Sequence, residues 1–260
     1  MSAGEYRQYG HFQSSCDDVV IRMQKGQNIA GFPIGILYID DVYYPMVPGN
    51  VVNGWTYKYP VRLKAVPGLT IERLFAADPG IGSDLILAGR DLEKEGIRAI
   101  TAACGFFGNF QKEMAAAMHV PVAMSSLIQI PWIRALLGPD RKIGVLTADA
   151  SSLTDHLLAS CGASRDGLII RDLRHAPHFS CILEGRGEFD NAEVRREVTA
   201  AAADLIASDP AVGAILLECS DMPPYASDVQ RVTGLPVFDF ITMINWLEQS
   251  VAQKPYTGFI

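Results

Sequence analysis

Short apolar runs alternate along this chain with longer stretches whose apolar residues recur at helical spacing. Within 191–208, for example, Val194, Val198 and Leu205 share one helix face, while charged residues occupy the other. The second half predicts alternating strands and helices at residues 142–147, 151–160, 167–172, 191–208, 211–218, 226–233 and 237–240. Strands that alternate with amphipathic helices form a mainly parallel sheet with helices on both faces, so the predicted fold class is α/β.

The first half of the chain repeats this pattern. IRAITAACGFFGNF, which contains Cys104, aligns with VGAILLECSDMPPY, which contains Cys219, at an offset of 115 residues. The same offset relates Pro121 to Pro236, each inside a short apolar group. Upstream, IGIL of the first half aligns with IGVL of the second at an offset of 109, a difference that a change of loop length accommodates cheaply. We therefore expect two homologous α/β lobes related by a pseudo-twofold axis, with an active-site cleft between them.

The repeat also predicts the domain limits. Residues 1–30 form a polar N-terminal extension, 31–138 the first lobe and 139–260 the second lobe, whose C-terminal helix is expected to pack back on the first. The first lobe is less regular than the second, because residues 43–66 predict a loop and an extended strand added near its entrance.

Composition narrows the class of function. Of the 260 residues 49% are hydrophobic and 20% charged, which is typical of a globular protein, and the net charge is −7. An acidic chain lacks the basic excess that binds nucleic acid or anionic membranes, so a small-molecule partner is expected. The apolar run at 29–39 is too short to span a bilayer, and the N-terminus lacks the apolar core of a secretory signal. Five cysteines without a CxxC pair predict reduced thiols in the cytoplasm.

Two of these cysteines occupy equivalent positions in the two repeats. Cys104 and Cys219 each follow an apolar strand and precede a helix, where ligands of parallel sheets bind and where a helix N-terminus favours thiolate. A lone cysteine at such a place is usually a packing residue, but equivalence in two repeats favours chemistry. If the lobes face each other, one thiolate removes an α-proton and the opposite thiol returns one, which is the arrangement of a two-base racemase.

At these residues the chain resembles the aspartate/glutamate racemase superfamily, which includes glutamate, aspartate and hydantoin racemases, arylmalonate decarboxylase and maleate isomerase. The resemblance covers roughly 31–246 and is most specific in TAACGFFGNFQ and LLECSDMPPYA. It implies two lobes around a cleft, no metal or organic cofactor, a homo-oligomer, and Cys104 and Cys219 as the catalytic pair. By position, it implies that the substrate carboxylate is bound by Asn50, Gly105, Phe106, Ser125, Thr147, Ser220 and Asp221.

The chain departs from glutamate racemases beside both cysteines. Those enzymes carry Cys-Asn-Thr and Cys-Thr-His where this sequence has CGF and CSD, so Phe106 indicates a more apolar pocket and Asp221 replaces an assisting histidine. The predicted function is a cofactor-independent racemase or epimerase, hence an isomerase, that acts on a small amino-acid-like or carboxylate substrate. The alternatives are a lyase, isomerase or decarboxylase that uses a single cysteine, and a non-catalytic carboxylate-binding protein.

Overall fold

The computed structural model describes residue 23 and residues 25–260, so Cys16 and most of the predicted N-terminal extension lie outside the described residues. The first lobe contains β1 (Ile34–Ile39), β2 (Val61–Val66), α1 (Ile71–Phe75), α2 (Ile81–Lys94), β3 (Ala99–Ala102), α3 (Gln111–Ala117), β4 (Val122–Ala123) and α4 (Ile130–Leu136). The second contains β5 (Lys142–Thr147), α5 (Asp155–Ser160), β6 (Leu168–Asp172), α6 (Ser180–Glu184), α7 (Asn191–Ser208), β7 (Val212–Leu217), α8 (Ala226–Thr233), β8 (Val237–Phe238) and α9 (Phe240–Val251).

The two lobes have the same sheet topology. Within the described chain, each sheet has four parallel strands, in the order β2-β1-β3-β4 and β6-β5-β7-β8. Hydrogen bonds repeat across the lobes, because Ile100 N–H donates to Pro121 O at 3.0 Å and Ile215 N–H donates to Pro236 O at 2.9 Å. These pairs differ by the offset of 115 residues found in the sequence. The predicted α/β fold of two repeated lobes is confirmed.

The loop and extended strand at 43–66 are not an addition to the first lobe, as the sequence pattern had indicated. The extended part is β2, which pairs in parallel with β1 over six residues and corresponds to β6 of the second lobe. The error has a physical cause: β2 lies at the sheet edge and none but its last residue is fully buried, so its sequence alternates instead of forming an apolar run. Only the loop before β2, which replaces a helix, is peculiar to this lobe.

Equivalent glycines let a helix approach the central strand of each sheet. A Cβ atom on Gly35 of β1 would lie 2.9 Å from a methyl carbon of Leu92 in α2, and one on Gly144 of β5 would lie 2.5 Å from a methyl carbon of Leu205 in α7. Neither distance is compatible with an undisturbed side chain. The IGIL and IGVL motifs therefore record a helix–strand packing contact that both lobes share.

The C-terminal helix α9 packs against the first sheet. Its residues Phe240 and Ile244 are fully buried in one cluster with Ile34 and Ile36 of β1. Asp239 caps the helix by accepting a hydrogen bond from Thr242 N–H at 2.7 Å, and Thr242 Oγ1 accepts one from the backbone of Asp239. A second cluster contains apolar residues from both lobes, so the lobes share one core around the cleft.

Among the described helices, none has the length and hydrophobicity that crossing a membrane requires.

Candidate active site

The two repeated cysteines lie at the carboxyl ends of equivalent strands and line the same cavity. Cys104 follows β3 and begins the 3-10 turn Gly105–Phe110, whereas Cys219 follows β7 and precedes the 3-10 turn Pro223–Tyr225. Cys104 is partly exposed and Cys219 is buried. Residues of both lobes line the cavity between them. The fold thus brings one thiol from each lobe to a shared space.

The cavity has apolar walls, and its charged groups are acidic. Among the lining residues that the structure describes, two are carboxylic acids and none is lysine, arginine or histidine. The lining consists of Ile39, Val42, Tyr44, Ile71, Phe75, Ala103, Cys104, Gly105, Phe106, Ala148, Ile182, Leu183, Glu218, Cys219, Ser220 and Asp221. A ligand here meets hydrocarbon, aromatic rings, two thiols and negative charge.

Asp221 is the hydrogen-bond acceptor for the Cys219 thiol. The thiol of Cys219 donates to Asp221 Oδ2 at 3.5 Å, and the hydroxyl of Ser220 donates to the same oxygen at 3.3 Å. The amide of Asn50 donates to Oδ1, and the hydroxyl of Tyr44 also donates to this carboxylate. Four donors therefore fix the orientation of the carboxylate that faces Cys219.

Burial raises the pKa of both members of this pair. The pKa of the Cys219 thiol lies well above its usual value, because burial and the charges of Asp221 and Glu218 disfavour the thiolate. Burial likewise raises the pKa of Asp221, although its hydrogen bonds to Tyr44, Cys219, Ser220 and Asn50 oppose the shift. The Cys219 thiol is therefore neutral at rest, and its proton lies in the hydrogen bond to Asp221.

Cys104 is also held as a neutral thiol. Burial and the charge of Glu218 raise its pKa well above the usual value, while a hydrogen bond from the backbone N–H of Phe106 opposes the shift. The backbone N–H of Asp221 makes the equivalent bond to Cys219. Each cysteine sulfur atom therefore accepts a hydrogen bond from the backbone of the turn that follows it.

Glu218 lies between the two cysteine turns. Its Oε2 accepts a hydrogen bond from Thr147 Oγ1 at 2.8 Å, and its Oε1 is buried without a hydrogen-bond partner. Burial raises the pKa of Glu218 to about 7, although bonds from Thr147 and from the backbone of Ala148 oppose the shift. This carboxyl group is therefore poised between its neutral and ionised forms near neutral pH.

The structure brings five of the seven predicted substrate-binding residues to the cysteines. Gly105, Phe106, Ser220 and Asp221 line the cavity, and Asn50 lines an adjoining pocket and bonds to Asp221. The other two do not line the cavity, and each of their hydroxyl groups has a hydrogen-bond partner within the protein. Ser125 accepts a hydrogen bond from Leu127 N–H at the start of a 3-10 turn, and Thr147 donates to Glu218.

Sequence reasoning missed Tyr44 and Glu218. Glu218 carried a signal, since it is a lone charged residue that ends an otherwise apolar strand directly before Cys219. Tyr44 carried none, because it lies in the irregular loop after β1 and reaches the site only through the path of that loop. Ile182 and Leu183 of α6 complete one wall, so the short α6 segment covers the cleft.

The remaining described cysteines lie elsewhere. Cys161, at the end of α5, donates from Sγ to Gly108 O at 3.8 Å, and Cys181 is buried in the core of the second lobe. All four cysteines in the described part of the chain are free thiols. No cluster of three or more histidine, cysteine, aspartate or glutamate side chains in that part is arranged to bind a metal ion.

Sequence comparison finds relatives along most of the chain, although no family model matches it. The chain is 34% identical over 242 residues to a dimethylsulfoniopropionate lyase from Durusdinium sp. clade D, across 90% of this chain and 80% of that protein. It is 31% identical over 236 residues to dimethylsulfoniopropionate lyase 7 from Emiliania huxleyi (strain CCMP1516), across 86% of this chain and 69% of that protein. Against lyase 3 from the same strain, also 31% identical, it spans 61% of the protein's length.

The solved structures that superpose on this chain include a decarboxylase and racemases. Unliganded arylmalonate decarboxylase superposes with a TM-score of 0.55 at 16% identity, covering 84% of this chain and 91% of the other. Allantoin racemase from Pseudomonas fluorescens superposes with a TM-score of 0.57 at 14% identity, covering 87% and 99%. A glutamate racemase from Bacillus anthracis gives 0.52 at 14% identity, covering 86% and 85%. The fold is that of the aspartate/glutamate racemase superfamily, as the cysteine motifs had indicated.

Proposed function

The chain belongs to the dimethylsulfoniopropionate lyase family, and from that premise we propose that it is a lyase that eliminates dimethyl sulfide from dimethylsulfoniopropionate or a closely similar sulfonium carboxylate. The relatives are named as enzymes, which agrees with the enzymatic function expected from the sequence. The relatives are named as lyases and not as racemases. The proposed reaction class therefore differs from the racemisation that the cysteine pair had indicated.

The elimination needs one base and a good leaving group. A base removes a proton from the carbon next to the carboxylate, and the electrons of that C–H bond form a carbon–carbon double bond. The bond from the next carbon to the positively charged sulfur breaks, and its electron pair stays on sulfur. The products are neutral dimethyl sulfide, acrylate and a proton on the enzyme, so charge and atoms balance.

The observation that carries this proposal is the hydrogen bond from the Cys219 thiol to Asp221 inside an apolar cavity. As the sulfur atom takes the substrate proton, its own proton passes to the carboxylate, so the thiol acts as a base without first releasing a proton to water. Tyr44 and Asn50 hold Asp221 in the orientation that accepts the proton. Asp221 acts through Cys219 and is a positioning residue.

Racemisation is the second candidate, and the placement of both thiols on one cavity favours it. The two reactions share the first step and differ in the fate of the carbanion. In elimination the carbanion expels sulfide, whereas in racemisation Cys104 returns a proton to the opposite face. Elimination therefore requires Cys219 as the base, but it does not require a proton from Cys104.

Three cysteine variants test the proposal. We expect the purified protein to release dimethyl sulfide from dimethylsulfoniopropionate, measured by gas chromatography of the headspace. Cys219→Ser is expected to lower kcat/KM by at least about 10³, because a serine hydroxyl is a far weaker acid than a thiol and gives up its own proton to Asp221 far less readily. Cys104→Ser is expected to lower it by a smaller factor of about 10 to 100, because elimination requires no returned proton.

Cys161→Ser is the matched control, since Cys161 is a buried thiol outside the cavity lining and serine keeps the bond to Gly108. It should retain the wild-type rate. A Cys219→Ser variant as active as Cys161→Ser would contradict the assignment of the base. A wild type that releases no dimethyl sulfide but exchanges the C2 protons of the substrate with D₂O would support the racemase-type reaction instead.

A further inference from the structure

One oxygen of a carboxylate that belongs to the cavity lining has no hydrogen-bond partner among the described residues. Glu218 Oε1 is buried and has no hydrogen-bond partner, while Oε2 is bonded to Thr147. A buried carboxylate oxygen without a partner is costly when it is ionised, and native proteins pair such atoms almost always. A group that the described part of the chain does not supply is therefore expected beside Oε1.

The surroundings place this oxygen at the ligand cavity. A Cβ atom on Gly105 would lie 1.7 Å from Glu218 Oε1, so the carboxylate packs directly over the Gly105 backbone. Gly105 and Glu218 both line the cavity, and each adjoins a cysteine in sequence. The unpartnered oxygen thus lies between the turns that carry the two thiols.

Aromatic rings and the absence of basic side chains define what this place can bind. The rings of Phe75 and Phe106 lie with centroids 4.3 Å apart, and both residues line the cavity together with Tyr44. Ring faces attract cations, and no lysine, arginine or histidine is among the described lining residues to neutralise Glu218. The missing partner is therefore a cation that has an apolar surface.

We propose that Glu218, Phe75 and Phe106 form an onium subsite that holds the positively charged end of the substrate and selects zwitterions over carboxylates of the same shape that lack the cationic group. A methylated sulfonium or ammonium group has both the charge for Glu218 and the methyl surface for the two rings. The inference rests on the proposed function, because it assigns the cationic group of that substrate class to a place in the cavity. It also predicts that dicarboxylates are excluded, since two like charges would meet.

An isosteric ligand pair tests the subsite without turnover. The probes are 3-(trimethylammonio)propanoate, whose amine is a poor leaving group, and 4,4-dimethylpentanoate, in which carbon replaces the charged nitrogen. Titration calorimetry with the wild-type protein should give a dissociation constant at least about tenfold lower for the ammonium compound. Glu218→Gln should remove most of this preference, chiefly by weakening the binding of the ammonium compound.

Glu248→Gln is the matched control, because Glu248 is a buried glutamate of α9 that does not line the cavity. It should keep the wild-type preference. The subsite is wrong if the wild type binds both probes equally or if Glu218→Gln keeps the wild-type ratio. Absence of dimethyl sulfide production alongside an intact preference would instead overturn only the proposed reaction.

A wild-type measurement decides the matter if Glu218→Gln fails to fold. Burial raises the pKa of Glu218 to about 7, so a cation bound beside it should draw off part of its proton at pH 7. Calorimetry in two buffers of different ionisation enthalpy should show proton release for the ammonium probe and none for the all-carbon one. Equal release with both probes would contradict the subsite. The other titratable groups that interact electrostatically with Glu218 are Cys104, Asp149, Cys161 and Cys219.

Discussion

Glu218, Cys219 and Asp221 lie close together in sequence at the end of β7 and do three different things. Asp221 accepts a hydrogen bond from the Cys219 thiol, whereas the side chain of Glu218 contacts Thr147 and Gly105. The sequence predicted the two cysteines from their equivalence in the repeats. It did not predict the role of Glu218, because the direction of a side chain at a strand end depends on the packing of the other lobe.

The burial of Glu218 has a consequence for stability. Its pKa is raised from 4.5 to about 7, so the unfolded chain releases this proton at lower pH than the folded protein does. Ionisation above about pH 5 therefore favours the unfolded state, and the free energy of unfolding falls by about 3 kcal/mol between pH 5 and pH 8 on account of this group.

Glu218→Gln removes that titration. Urea unfolding at pH 5 and pH 8 should show that the variant gains about 3 kcal/mol relative to the wild type on going to the higher pH. Parallel pH dependence in the wild type and Glu218→Gln would show that Glu218 titrates as an ordinary carboxyl group.

At the scale of elements, the two lobes repeat strands, hydrogen bonds and helix contacts but not loops. Apolar runs and offsets were enough to predict β5, α7 and α8, whose observed ends agree with the pattern. They were not enough for β2, whose edge position gives it a mixed sequence, or for the loop before it, which brings Tyr44 and Asn50 to the site. The local pattern of apolar residues reflects burial, whereas the positions of β2 and of the loop before it depend on tertiary contacts.

The glycine contact shared by the lobes can be tested by substitution. Gly144→Ala places a methyl group against Leu205 and Ile215, so we expect a loss of about 1 to 3 kcal/mol in the free energy of unfolding. Gly54→Ala is the control, because nothing lies within 4 Å of its Cβ position and its effect should stay within about 0.5 kcal/mol. Urea unfolding measures both. Equal stability of the two variants would mean that α7 does not pack closely on β5 at this glycine.

At the scale of the whole molecule, the racemase fold and a lyase function are compatible. Both reactions begin with removal of a proton beside a carboxylate, and the fold supplies a thiol from each lobe to one cavity. The second step depends on the substrate, since only a substrate with a leaving group on the next carbon eliminates. The acidic cavity, free of basic side chains in its described lining, favours a cationic leaving group. Sequence pattern predicted the fold and thiol pair; the lyase proposal required the relatives and the cavity's charge.

Proton NMR of the purified protein with dimethylsulfoniopropionate in D₂O distinguishes elimination from exchange of the C2 protons. We expect the vinyl signals of acrylate and the methyl signal of dimethyl sulfide to grow together, because each substrate molecule consumed yields one molecule of each product. Loss of the substrate's C2 proton signals to deuterium, with no acrylate formed, would show that the proton is removed and returned. That result would contradict the lyase proposal and restore the two-thiol exchange reaction.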